Sequence, residues 1–246
     1  MMRAFIFPGQ GSQFSGMGKD LSEAFPEARE VFEEVNDALG QNLSKLMFEG
    51  PDDELNLTEN TQPALMAMSM AVVRVLTGQG GFRLEELCDY VAGHSLGEYA
   101  ALTAVESLEL ADTARLLKLR GQAMQEAVPV GVGAMAAILG LDFEDVQAIA
   151  EQAASEEVCQ SANDNSPGQV VVSGHKGAVE AAVTLAGERG AKRAVTLPVS
   201  APFHCSLMAP AAQQMAQALA DTNLRPPHVP VVAKVTARAV TAPSAS

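Results

Sequence analysis

The chain has 246 residues, 48% of them hydrophobic, and its 30 acidic and 16 basic residues give a net charge of −14 at pH 7. This length and composition predict one large or two small globular domains with a real core. The acidic balance argues against nucleic acid or an anionic membrane as a partner. Cys88, Cys159 and Cys205 are widely spaced and form no C-x-x-C motif, so we expect neither a disulfide framework nor a zinc site, and a reducing cytoplasm fits.

The first half of the chain alternates between strand and helix patterns, and its N-terminal apolar run is too short for a signal peptide. The apolar stretch 63–76 is shorter than the roughly 20 residues of a membrane helix and predicts a buried helix, with Pro63 in its first turn. The alternation favours a parallel sheet covered on both faces. In chain order we expect a strand at 4–7, a helix at 20–39, a polar loop at 51–60, a helix at 63–76, a strand at 90–92, and helices at 98–105 and 109–127.

The pattern of predicted secondary-structure elements changes after Gly131. The predicted order there is βαββαβ, which is that of a ferredoxin-like unit. We therefore expect a small subdomain at 128–197, inserted into a large domain formed by 1–127 and 198–246. Its predicted elements are a strand at 134–139, a helix at 142–153, strands at 158–163 and 169–173 with a turn at 165–168, a helix at 177–189 and a strand at 194–197. An irregular loop at 198–204, a helix at 206–220, a strand at 229–235 and a frayed end at 241–246 follow.

A G-x-S-x-G run, Gly93 to Gly97, lies between the predicted strand at 90–92 and the next helix. In that context the motif forms a nucleophile elbow, which exposes Ser95 and leaves the amide of Leu96 at the helix start to bind an oxyanion. A chance match in a loop is the alternative. The glycine-rich turn after the first strand supplies either a second oxyanion donor or no more than a tight turn.

Four histidines could serve Ser95 as its base. His94 lies inside the elbow and should point away from the serine, His175 reads as a solvated residue at a helix end, and His228 lies among prolines. His204 is the best candidate, because it lies on an irregular, proline-containing segment at a domain junction, where clefts form. The alternative is a structural histidine that caps the next helix.

Arg120 lies on a mostly apolar helix face, with Leu116 and Met124 one turn to either side. A buried arginine there should have an anionic partner, and no acid lies one turn away on that face. One interpretation is a surface arginine that extends its head group to water. The other is a guanidinium that binds a substrate carboxylate in bidentate fashion.

Six segments together resemble the malonyl-CoA:acyl-carrier-protein transacylases of type II fatty acid synthesis. This resemblance implies an α/β-hydrolase-like core with a ferredoxin-like insert, an acyltransferase that needs no cofactor or metal, and two partners, malonyl-CoA and an acyl carrier protein bearing phosphopantetheine. It implies ping-pong transfer through Ser95, with His204 as base, Arg120 on the malonyl carboxylate, the amides of Gln10 and Leu96 as oxyanion hole, and Phe203 and His94 beside the substrate. The segments, which span nearly the whole chain, are Phe7–Gln13, Thr61–Ala64, Gly93–Tyr99, Arg120–Gly121, Asn165–Gln169 and Pro198–Cys205.

Two departures from the family pattern bear on activity. Family members continue for several tens of residues beyond 246, and a carbonyl from that segment holds the second nitrogen of the catalytic histidine, so we expect a chain ending at Ser246 to be less stable and less active than an extended one. Lys234 stands where the family usually has asparagine. The alternatives to malonyl transfer are a serine hydrolase or thioesterase and a weakened carrier-binding fragment. For carrier docking, the candidates are Lys192, Arg193, Lys176 and Arg189.

Overall fold

The computed structural model describes residues 2–129, 131–197, 199 and 201–242. Their strands are β1 (Ala4–Phe7), β2 (Tyr90–Gly93), β3 (Gly133–Leu139), β4 (Cys159–Ser166), β5 (Gln169–His175), β6 (Arg193–Thr196), β7 (Val231–Ala233) and β8 (Arg238–Val240). Their α-helices are α1 (Lys19–Ala24), α2 (Pro26–Leu39), α3 (Leu43–Glu49), α4 (Asp52–Leu55), α5 (Thr58–Gly78), α6 (Leu84–Leu87), α7 (Gly97–Ala104), α8 (Leu110–Glu126), α9 (Phe143–Ala154), α10 (Lys176–Glu188) and α11 (Ala209–Ala220). Among these helices, none has the length and apolar character that crossing a membrane requires. The chain divides into two compact units, Met1–Gly121 with Gln217–Ser246, and Gln122–Ala216.

The first unit contains a four-stranded sheet in the order β1-β2-β7-β8. Strands β1, β2 and β7 run parallel, with Ala4 opposite Tyr90 and Val91 opposite Val231, while β8 pairs antiparallel with β7. Val91 is fully buried in the core of this unit. The carboxyl ends of the three parallel strands therefore meet at one edge of the sheet, where ligands bind in α/β folds.

Two helix predictions in this unit need correction. The expected helix at 20–39 is split at Phe25, which is extended (φ −130°, ψ 120°) because the ring of Pro26 disfavours a helical conformation in the residue before it. The expected loop at 51–60 holds α4 and the start of α5, so Pro63 lies beyond the first helical turn. Two polar residues there, Thr58 and Asn60, misled the prediction because this helix buries them; the Asn60 Nδ2 donates to the Glu54 carbonyl at 2.9 Å.

The second unit contains an antiparallel sheet in the order β4-β5-β3-β6. The βαββαβ order predicted from the sequence is confirmed, and the shared core comes from the sheet and from α9 and α10. Gly168, at φ 73°, follows Pro167 in the turn between β4 and β5, a conformation that favours glycine. The fully buried members of this core are Ala136, Ile138, Val146, Ile149, Val170, Val172, Val179, Ala182 and Ala186.

The bounds of the second unit differ from the subdomain expected at 128–197, because it reaches from Gln122 to Ala216. A separate apolar cluster accounts for the difference. In this cluster Met124 and Val128, near the end of α8, pack with Phe203 and Met208. His204 therefore belongs to the second unit.

The C-terminal strand prediction at 229–235 is too long. Strand β7 ends at Ala233, and the chain then turns, with Ala237 at φ 51°, and returns as β8, which the sequence analysis missed. Residues Pro198 and Ser200 of the predicted loop, and 243–246 of the predicted frayed end, lie outside the described residues.

Candidate active site

Ser95 lies in a sharp turn between β2 and α7, as the elbow motif predicts. Its backbone has φ 54°, a strained conformation for a residue with a side chain. A Cβ on Gly93 would lie 2.0 Å from the carbonyl carbon of Gly97, and one on Gly97 would lie 2.4 Å from the Phe7 carbonyl oxygen. Both glycines are therefore needed for close backbone approach, and a chance match of the motif in a loop is ruled out.

The Arg120 guanidinium reaches Ser95 from α8. Its Nη2 donates to the Ser95 Oγ at 3.2 Å, and its Nη1 donates to the Gln62 Oε1 at 2.6 Å. The side chain is only 8% exposed, and its charge lies 5.8 Å from the centre of the Tyr99 ring. The surface interpretation of this arginine is wrong. Its described hydrogen-bond partners are neutral, which departs from the expected anionic partner.

Charged and polar groups around this arginine have shifted pKa values. Burial lowers the pKa of Arg120, while Tyr99 and Glu98 act against that decrease. Burial also raises the pKa of Glu98, which Lys234 and Arg120 partly offset, and burial raises the pKa of Tyr99. An arginine side chain stays protonated in proteins, so Arg120 presents a buried cation beside Ser95.

Gln62, which orients Arg120, is a residue that the sequence analysis did not assign to the site. It is 1% exposed and lies in the second turn of α5. Neighbouring polar groups tie this part of the helix to α8, since the Lys118 Nζ lies 3.0 Å from the Glu59 Oε2 and donates to the Asn60 Oδ1 at 3.0 Å. A polar run at the start of an otherwise apolar helix is the signal that could have pointed to Gln62.

The turn after β1 packs directly on the elbow. A Cβ on Gly9 would lie 2.4 Å from the Nδ1 of His94, and the His94 amide donates to the Phe7 carbonyl at 3.0 Å. In the same turn the Gln10 Oε1 accepts from the Thr58 hydroxyl at 2.5 Å. Leu96, which is 1% exposed, immediately precedes α7. The first unit thus brings Gln10, His94 and Leu96 to the elbow, and the assignment of the Gln10 and Leu96 amides to an oxyanion hole stays a prediction.

His204 lies in the second unit in an unusual backbone conformation, with φ 65°. Its ring centre is 6.5 Å from that of Phe203, which is 8% exposed, and His204 lines a cavity of about 630 Å³ with Cys159 and Ser206. The residue that precedes the following 3-10 turn is Cys205, so the helix-capping interpretation of His204 is not supported. The catalytic role of His204 stays a prediction.

Two other histidines have structural contacts. His175 lies at the start of α10, as expected, but it is half-buried rather than solvated, and its Nδ1 accepts from the Val158 amide at 2.9 Å. The approach of strand β4 to the start of α10 supplies this donor, which local sequence could not reveal. The His228 Nε2 lies 3.1 Å from the Glu106 Oε2 on the exposed surface of the first unit.

Comparison with known proteins identifies the family. A sequence model described as the acyl transferase domain matches residues 4–246. The chain belongs to the acyl transferase family. It is 50% identical over 232 residues to the malonyl CoA-acyl carrier protein transacylase of Escherichia coli (strain K12), covering 94% of this chain and 74% of that protein. The enzyme of the same name from Bacillus subtilis (strain 168) is 47% identical over 239 residues, covering 97% and 74%.

Solved structures of acyl transferases agree with this assignment. The acyl-carrier-protein-S-malonyltransferase of Bartonella henselae is 58% identical, with a TM-score of 0.95 over 98% of this chain and 76% of that one. A malonyl-transacylase solved in complex with a type II PKS acyl-carrier protein is 45% identical, with a TM-score of 0.93 over 98% and 77%. The mixed α/β fold with a parallel sheet is thus a family property, as the sequence predicts.

Proposed function

We propose that this acyltransferase moves a malonyl group from malonyl-CoA to the phosphopantetheine thiol of an acyl carrier protein. The observation that carries the proposal is the buried Arg120 guanidinium, hydrogen-bonded to the Ser95 hydroxyl. A buried cation beside a nucleophile selects an acyl group that has its own carboxylate. Relatives at 47–50% identity are named for malonyl transfer, which supports the same substrate here.

The proposed reaction has two half-reactions. Ser95 attacks the thioester carbonyl while His204 takes its proton, the C–S bond breaks, and coenzyme A leaves as the protonated thiol. The carrier thiol then attacks malonyl-Ser95 while His204 takes the thiol proton, the ester C–O bond breaks, and His204 returns that proton to the Ser95 oxygen. In the proposal the amides of Gln10 and Leu96 stabilise the oxyanion, Arg120 binds the malonyl carboxylate, and Phe203 and His94 flank the acyl group.

The finer description of the fold is also part of the proposal. We assign the parallel sheet and elbow of the first unit to an α/β-hydrolase-like core, and residues 128–197 to a ferredoxin-like subdomain. The strand order β4-β5-β3-β6 and the βαββαβ sequence of elements support the second assignment. Free thiols at Cys88, Cys159 and Cys205 support a location in a reducing cytoplasm.

Mass spectrometry of the chain after incubation with malonyl-CoA tests the proposal. We expect one malonyl group on the peptide that contains Ser95, and its discharge when carrier protein is added. The Ser95→Ala variant should carry none. Malonate released at the same rate with and without carrier protein would instead identify a hydrolase, and a malonyl group on another residue would refute the assignment of Ser95.

A further inference from the structure

Lys234 lies at the same sheet edge as the proposed nucleophile. It directly follows β7, whose residues Val231 and Val232 pair in parallel register with Val91 and Ala92 of β2. Strand β2 ends at Gly93 and β7 at Ala233, so His94 and Lys234 each follow the carboxyl end of one of two neighbouring parallel strands. Helix α7, which begins after Ser95, packs against β7.

Three charged groups interact at this edge. Glu98, in the first turn of α7, is attracted by both Lys234 and Arg120, while Lys234 and Arg120 repel each other. Burial lowers the pKa of Lys234, and the Arg120 charge lowers it further, against the effect of Glu98. Glu98 is therefore attracted by two cations, and one of them, Arg120, donates to the Ser95 hydroxyl.

Glu98 creates a difficulty for recognition of an anionic acyl group. Its carboxylate attracts the same guanidinium that the substrate carboxylate would bind, and it repels that carboxylate. In a partly buried site such interactions are weakly screened and amount to about tenfold in affinity per charge pair. The attraction between Lys234 and the Glu98 carboxylate acts against this penalty.

We infer that Lys234 is a positioning residue for acyl selection, whose ammonium offsets the Glu98 carboxylate and keeps Arg120 available to an anionic acyl group. The inference rests on the proposed function. It predicts that Lys234 favours malonyl over acetyl groups without touching the acyl carboxylate itself.

The test measures acylation of Ser95 by malonyl and acetyl thioesters of N-acetylcysteamine, which lack the phosphates of coenzyme A. For Lys234→Met we expect kcat/KM for the malonyl thioester to fall about tenfold, chiefly through KM, with the acetyl reaction unchanged. Lys234→Arg should retain malonyl preference, since it keeps the charge. Lys45→Met, an equal charge change at an exposed residue of α3, should have no effect.

The double variant Glu98→Gln/Lys234→Met separates the mechanisms. If Lys234 acts through Glu98, removing both charges restores malonyl preference. A defect that persists in the double variant would show that the ammonium binds the acyl carboxylate directly, and equal losses for both thioesters would show a structural role; either result overturns the inference. Arg120→Ala tests the proposed function separately, because its malonyl preference should disappear whatever the role of Lys234.

Discussion

The reactivity of Ser95 depends on a proton acceptor, because a neutral serine hydroxyl is a poor nucleophile. We predict that His204→Ala lowers malonyl transfer by about 10²- to 10⁴-fold, the range for loss of a general base. Single-turnover acylation by malonyl-CoA measures it, and the thermal midpoint shows whether the variant still folds. A larger loss for His94→Ala at unchanged stability would mean that the wrong histidine was chosen.

Arg120 should select the acyl group. In Arg120→Ala we expect malonyl transfer to fall while acetyl transfer holds steady or rises. With the arginine present, an acetyl group offers the buried guanidinium no carboxylate, a penalty of about 3 kcal/mol or more. Competition between malonyl-CoA and acetyl-CoA measures the change, and Arg74→Ala, at an exposed position on α5, is the matched control. Equal losses for both acyl groups would indicate that Arg120 is structural.

Cys159 should resist alkylation although it lines a cavity with His204. Burial, with a smaller contribution from Cys205, raises the pKa of its thiol to about 11. At pH 8 only about one thiol in a thousand is then ionised, and the thiolate is the reactive form. Iodoacetamide labelling followed by peptide mapping should find Cys159 unmodified in the folded protein and modified after unfolding. Rapid labelling of the native chain at pH 8 would contradict this expectation.

At the level of elements, the sequence predicted those features that depend only on neighbouring residues. The elbow at Ser95 needs only a strand, two glycines and a helix in succession, and all are as expected. Phe25 and Asn60 show the limits of local prediction. Phe25 is held extended by the following proline, and Asn60 is a polar residue of the expected loop that helix α5 buries. Strand β8 was missed because three residues pairing at a sheet edge leave almost no periodic signal.

The elbow glycines give a stability prediction. Gly93→Ala should lower the thermal midpoint strongly or abolish folding, because its Cβ would overlap the Gly97 backbone at 2.0 Å. Gly187→Ala is the control. Gly187 lies in α10 with nothing within 4 Å of the added Cβ, so alanine should leave the free energy of unfolding unchanged or raise it by about 0.5–1 kcal/mol. Thermal unfolding of both variants decides the matter, and a Gly93→Ala protein as stable as the parent would disprove the close packing of the turn.

At the scale of the whole molecule, the sequence could not reveal contacts between residues that are far apart in the chain. Gln62 and Arg120 are 58 residues apart and meet through the packing of two helices, and Lys234 reaches the elbow edge only through the parallel pairing of β2 and β7. No local pattern encodes these contacts, although the family resemblance named Arg120 in advance. The resemblance did not give the partners of its guanidinium, which depend on tertiary structure.

We expect exposed charges to determine how strongly the carrier protein docks. We expect the carrier to be acidic, as this chain is at −14, so docking needs a local basic patch that works against overall repulsion. Lys192 and Arg193 are both exposed at the start of β6, where the Lys192 amide donates to the Leu139 carbonyl at 2.8 Å and fixes the backbone. We predict that reversing both charges to glutamate raises KM for the carrier several-fold at low ionic strength, and less in high salt, because salt screens exposed charges. Transfer to free pantetheine should not change, since that acceptor needs no docking surface. An unchanged carrier KM would mean that this patch is only a solvated end of the sheet, and an equal rise for pantetheine would place the effect at the acyl site.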